Sequence, residues 1–284
     1  MRAVSVVDHG AKGNGLNDDT EAFVQAWKLV CSSKVGATLK VPTGNAYLLR
    51  PITFGGPCKS KIVLSFHVSS ETIKFKFCFH FAAMSVPQTV QVSSLKVIAP
   101  ERSPNTDGIH LSSCVSVAVE DSIISTGDDC VSIVGNSSSI LIKNMVCGPG
   151  HGISIGSLGQ NKANDQVQDI LVDEAFVSNT ENGVRIKTWQ TSAVKVENVA
   201  FIDIKGTSAT EEAIKLACSD SYPCKKILLK NIELSSYSGG DAAAYCWKAS
   251  GFSSGEVYPP PCLSDSDQPI QKITSSSLLL YSSA

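Results

Sequence analysis

The sequence predicts an all-β fold, a single-stranded right-handed parallel β-helix with one short N-terminal helix, as a single domain over residues 1–284. Three observations point there. Hydrophobic residues make up 43% of the chain and 21 positions are glycine. The charged fraction of 18% lies below the roughly 25% of an average protein, so the composition argues for a packed chain and against disorder. Beyond Ser33 the apolar residues come in short runs divided by Gly, Ser, Asn and Asp, the rhythm of strands and turns. Those runs recur at intervals suited to one coil of a solenoid.

In chain order, Asn17, Asp18 and Asp19 precede Thr20–Cys31, where Phe23, Ala26, Trp27 and Val30 fall at helical spacing. That stretch is expected to be a capped amphipathic helix closing the N-terminal end. The runs ATLKVP, AYLLRPI and KIVLSF follow as strands. The repeat then becomes explicit in GIHL, CVSI, GISI, GVRI and AIKL. Their leading apolar residues are Ile109, Val131, Ile153, Val184 and Ile214, spaced by 22, 22, 31 and 30 positions. Between them lie VSVAVEDSII, SSILIKNMVC, VQDILVDEAFV and VKVENVAFIDI. Such units cannot bury their apolar faces alone, but they can when stacked. An antiparallel sandwich would show two-residue hairpin turns rather than a register-locked tetrapeptide. A leucine-rich repeat would show its own Leu and Asn spacing, which is absent.

The formal net charge is -2, so no overall basic footprint for nucleic acid exists. No apolar run reaches the roughly 18 residues of a membrane span, and the opening MRAVSVVDHGAKG carries no legible export signal. Ten cysteines favour an oxidising compartment. The five histidines show no ligand spacing to cysteine or to each other, so neither a structural zinc site nor a cofactor is expected.

In a parallel stack, equivalent residues of successive coils lie about 4.8 Å apart. Two positions before each leading apolar residue stand Asp107, Asp129, His151, Asn182 and Glu212, with Asp128 beside Asp129. By strand alternation, Arg185 and Lys187 point outward on the fourth rung. Three crowded carboxylates cannot all ionise cheaply, so at least one is expected to titrate high. Acid and base carboxylates around a scissile bond suit glycoside hydrolysis, and neighbouring cations suit an anionic sugar. Singly, each residue has a plainer reading: Asp and Asn cap turns, clustered carboxylates bind Ca²⁺, and Arg or Lys decorate surfaces.

The stretches SPNTDGIH, TGDDCVSI, CGPGHGISIGSLG and GVRIKTWQ, in that order, resemble the four signature segments of polygalacturonases, glycoside hydrolase family 28, in their plant form. DHGAKGNGLNDDTEAFVQAW, YLLRPITFGGPCKS, IKGTSATEEAIKLACSDSYPC and VYPPPCL extend the resemblance over most of the chain. It implies a secreted cell-wall enzyme, a monomer acting on pectin or polygalacturonate, which hydrolyses α-1,4 galacturonosyl bonds with inversion and without a metal. It further implies Asp128 as general acid, Asp107 and Asp129 holding and activating the water, His151 supporting the acid, and Arg185 and Lys187 binding substrate carboxylates. No catalytic role is expected of His110, which is read as packing at the core edge. The implied disulfides are Cys130–Cys147, Cys218–Cys224, Cys246–Cys262 and Cys31–Cys58, leaving Cys78 and Cys114 over. Asn136-Ser137-Ser138 is a glycosylation sequon usable on a secretory route.

Two departures from the family are expected. Coils are missing near residues 67–90, and one coil is missing after Gln190, together with a substrate-contacting tyrosine. A shortened chain could therefore be a pectin-binding protein without turnover. A Ca²⁺-dependent lyase is the third alternative.

Overall fold

The computed structural model describes residues 2–42, 44–50, 52–66, 90–190 and 192–265. The expected loss of coils near 67–90, together with Cys78, lies outside the described residues. Every strand pairing among them is parallel, and the strands stack as a right-handed solenoid of about eight turns. One sheet of twelve strands forms the long wall, and a second holds six short strands.

The six-stranded sheet comprises the rungs Ile109–Leu111, Val131–Ile133, Ile153–Leu158, Val184–Thr188, Glu212–Ala217 and Ala243–Trp247. Its pairing is the expected register: Val131 lies between Ile109 and Ile153, Ile153 meets Val184, and Val184 meets Ile214. The leading apolar residues and those two places after them are buried in the main core. Alternation along each rung therefore sends the intervening side chains outward.

The opposite wall is built from long strands such as Val115–Ser125, Ser137–Cys147, Gln166–Thr180 and Lys195–Ser208. Each of them, and Cys224–Ser236 after them, bends at two residues in the left-handed region at matching positions, and Gln166–Thr180 has a third such residue, Asn179. The first bend is made by Ser116, Ser139, Asp169, Asn198 and Lys226, and the second by Asp121, Asn144, Glu174, Asp203 and Asn231. That conformation costs most L-residues, and Asn and Asp tolerate it best. Side-chain hydrogen bonds along the stack reinforce the bends, from Asn144 to Asp121, Asn198 to Asp169 and Asn231 to Asp203.

The helix runs over Thr20–Cys31, as expected, and buries Ala22, Phe23, Ala26, Trp27 and Val30. Its capping differs from the expectation. Asp19 turns back to accept the Lys12 and Gly13 backbone N–H groups, so it organises the preceding loop. Asp18 accepts the Thr20 N–H instead. All four implied disulfides are present: Cys31–Cys58, Cys130–Cys147, Cys218–Cys224 and Cys246–Cys262. Cys114 is buried, its thiol 3.4 Å from the Ser112 carbonyl oxygen.

Candidate active site

The turns entering the first three rungs bring the predicted carboxylates and imidazole together. Asp128 Oδ1 faces His151 Nδ1 at 2.9 Å. The same oxygen accepts the Asp129 N–H at 2.8 Å, and Asp128 Oδ2 accepts the Asn105 N–H at 3.1 Å. These contacts fix the carboxyl plane at the start of the second rung. On Oδ2 one lone pair is left over among the described residues, where a proton can ride.

Asp129 sits deep, only 2% exposed. Two cations and a hydroxyl cover it. Arg185 Nη2 donates to Oδ1 at 2.6 Å, Lys187 Nζ to Oδ2 at 2.9 Å, and Ser154 Oγ to Oδ1 at 2.6 Å. Arg185 Nε also donates to Ser154 Oγ at 3.0 Å, so Arg185 is clamped and just 7% exposed. Lys187 is more open. A buried carboxylate is tolerable only with such pairing. The cluster thus places both predicted cations on Asp129, with Lys187 the one that also reaches solvent.

Asp107 occupies the first rung with a different set of partners. Its Oδ2 accepts Ser132 Oγ at 2.7 Å and lies 3.1 Å from His110 Nδ1, while Oδ1 has no hydrogen-bond partner among the described residues. Burial alone would raise this carboxyl. The hydrogen bonds from His110 and Ser132, with the charges of His110 and Lys187, outweigh burial and hold it below its ordinary value. For Asp107 the direction is therefore opposite to the rise expected from carboxylate crowding, because cations and donors rather than other carboxylates dominate its surroundings.

His110 is likewise not a packing residue at the core edge. Its ring reaches Asp107 and also lies 2.8 Å from Ser132 Oγ. Its outward position follows from register: His110, Ser132, Ser154 and Arg185 form one column, each one place after a leading apolar residue. The alternation rule that picks out Arg185 therefore marks His110, Ser132 and Ser154 too. Glu181 is a further member that the repeat does not reveal. It lies 3.4 Å from His151 Nε2 and 3.3 Å from Arg185 Nη1. Asn182 and Glu212, the remaining members of the predicted column, pair with each other, the Asn182 amide donating to the Glu212 carbonyl.

Asp128, Asp129 and His151 are the one group among the described residues whose ligand atoms converge, within 4.8 Å of one another. Three donors fall short of the six to eight oxygens that Ca²⁺ takes. Both Asp129 oxygens also face fixed cations, so this donor set suits proton transfer better than metal binding.

The sequence model for glycosyl hydrolases family 28 matches residues 72–202 and 189–254. A probable polygalacturonase of Arabidopsis thaliana is 39% identical over 93% of this chain and 85% of its own length. A polygalacturonase of Malus domestica is 34% identical over 82% and 74%, and polygalacturonase-2 of Solanum lycopersicum 32% identical over 93% and 81%. The alignment to the Arabidopsis protein runs over 377 positions, more than the 284 residues of this chain, so that relative carries segments with no counterpart here.

Proposed function

The chain belongs to glycosyl hydrolases family 28 and is a glycosidase, and from that premise we propose that it hydrolyses α-1,4 galacturonosyl bonds in pectin, with inversion. The observation that carries this reading is the Asp128–His151 pair, 2.9 Å apart, set one rung from an Asp107 whose Oδ1 is open. Asp128 protonates the leaving glycosidic oxygen, and His151 orients the acid and stabilises the carboxylate left behind. Asp107 Oδ1 takes the proton of the attacking water. Burial, His110 and Ser132 position that base while its other oxygen stays engaged.

Inversion fits the state of Asp129. A retaining route needs a carboxylate nucleophile, but both Asp129 oxygens are committed to Arg185, Lys187 and Ser154. With Asp129 so engaged, water is taken as the attacking group and Asp107 as its base rather than as a nucleophile. Asp129 takes part indirectly, holding the two cations and, with them, the polarity of the cleft floor. Lys187 is the better placed of the two for a substrate carboxylate, since Arg185 is clamped.

The proposed partner is the pectic polysaccharide alone, met by a monomer in the cell wall. Four disulfides support an oxidising, extracellular setting. We read residues 1–284 as one functional unit, and the longer Arabidopsis relative supports the reading that family coils are missing from it. Incubation with polygalacturonate tests the proposal. Reducing ends should appear without ultraviolet-absorbing unsaturated products, and proton NMR should show the β-anomer forming first. Asp128→Asn should lower turnover by about 10²- to 10⁴-fold while folding survives. Unsaturated products would signal a lyase, and binding without any product a non-catalytic protein.

A further inference from the structure

The outward face of the six-stranded sheet continues past the cations. In register with Arg185 come Lys215 on the fifth rung and Tyr245 on the sixth, and in register with Lys187 come Ala217 and Trp247. Tyr245 and Trp247 are 40% and 43% exposed. They flank Cys246, which packs against the core and is tied to Cys262. The strand is therefore pinned from inside while its two aromatic side chains face out. The Trp247 indole N–H donates to Asp220 at 2.7 Å, which holds the ring in place, and Lys248 Nζ stands 5.9 Å from its centroid. Lys215 is paired with Glu212 at 2.5 Å, but both side chains are more than a third exposed. Such a pair is weak enough to share its cation with a ligand.

We propose that Tyr245 and Trp247 form a distal subsite of the same cleft, taking a uronosyl ring against their faces with Lys215 toward its carboxylate. Four rungs separate this subsite from the turn bearing Asp128, about 19 Å. It therefore meets only chains several sugars long. An aromatic face suits the apolar side of a pyranose, and the adjacent ammonium suits its acid group. The small Ala217 between Lys187 and Trp247 leaves the floor low enough for a chain to pass. This inference rests on the reading of the substrate as galacturonan.

The test compares Tyr245→Ala and Trp247→Ala with the unaltered chain on trigalacturonate and on long polygalacturonate. The loss in kcat/KM on the polymer should exceed the loss on the trimer by roughly three- to tenfold and should lie in KM. Tyr245→Phe should restore most of it. Affinity electrophoresis in polygalacturonate gels, in an Asp128→Asn background, reads binding without turnover, and each aromatic substitution should reduce retardation there. Equal losses on trimer and polymer, or unchanged retardation, would overturn the subsite. Absence of hydrolysis by the unaltered chain would instead count against the proposed function, and the gel would still decide the subsite.

Discussion

Replacing Arg185 by Met removes one of the two cations on a carboxylate that is 2% exposed. The aliphatic part of the pocket stays filled, so the change is mainly electrostatic. Asp129 Oδ1 loses its 2.6 Å partner and keeps only Ser154, while Lys187 remains on Oδ2 at 2.9 Å. Breaking a buried ion pair by deleting one partner costs about 3–5 kcal/mol. The surviving Lys187 places this case at the lower end, about 3 kcal/mol. For a chain of this size that corresponds to a fall of roughly 6–12 °C in Tm. Lys187→Met, at a side chain 29% exposed, should cost about 1 kcal/mol, nearer the range of surface pairs. Asp129→Asn combined with Arg185→Met should be less destabilised than the sum of the two single changes by at least about 1.5 kcal/mol, since the orphaned charge is gone. Equilibrium urea unfolding with the disulfides intact, supported by calorimetry, measures all four variants. A cost below about 1 kcal/mol for Arg185→Met, or additivity within roughly 0.5 kcal/mol, would refute the view that Asp129 is a buried anion held by its cations.

Asp107 contributes stability that is present above its unfolded value and lost as pH falls through its depressed folded value. His110→Ala should let that carboxyl rise, so both the acid-unfolding curve and the acidic limb of the pH–rate profile move to higher pH; an unmoved limb would dismiss the hydrogen-bond account. Gly152→Ala should destabilise by about 1–3 kcal/mol and depress turnover, because Gly152 has φ +93° and a Cβ there would strike the Asn182 carbonyl beside His151; calorimetry and reducing-end assays read the two effects. Removing the Cys130–Cys147 bridge with paired serines should cost about 3 kcal/mol from the loop it closes, measured by urea unfolding against the oxidised parent.

The solenoid was legible because its register is written as a repeated pair of apolar residues, and burial of that pair leaves one pairing available. Sequence equivalence then became adjacency for Asp107, Asp129 and His151. What the repeat could not convey was depth. Asp129 and Arg185 occupy outward positions, yet both are buried, because long side chains from the fourth rung fold back over the second. Glu181 was hidden for a related reason: it lies in a turn, outside the repeated tetrapeptide, and its role depends on reaching two rungs at once. His110, Ser132 and Ser154 carry a readable signal, their place one step after a leading apolar residue, but a serine or an imidazole there lacks the fixed charge that singles out Arg185 and Lys187. Asp19 shows the limit of capping patterns, where a neighbouring loop competed for the same carboxylate.

The two columns of left-handed residues divide every coil unequally. Between them the count never changes: Ser116 to Asp121, Ser139 to Asn144, Asp169 to Glu174, Asn198 to Asp203 and Lys226 to Asn231 are each five steps. From the second bend to the leading position of the next rung it changes modestly, staying close from Asp121 to Val131, Asn144 to Ile153, Glu174 to Val184 and Asp203 to Ile214 and lengthening only from Asn231 to Ala244. The stretch from leading apolar residue to first bend is elastic, short from Ile109 to Ser116 and more than twice as long from Ile153 to Asp169. The turns that carry Asp107, Asp128, His151 and Glu181 therefore lie on the less variable bank of the cleft, and most of the slack in coil length is paid out on the opposite bank. Evolution or engineering can reshape what that far bank admits, by lengthening or trimming its loops, without shifting the proton-transfer groups by a single rung.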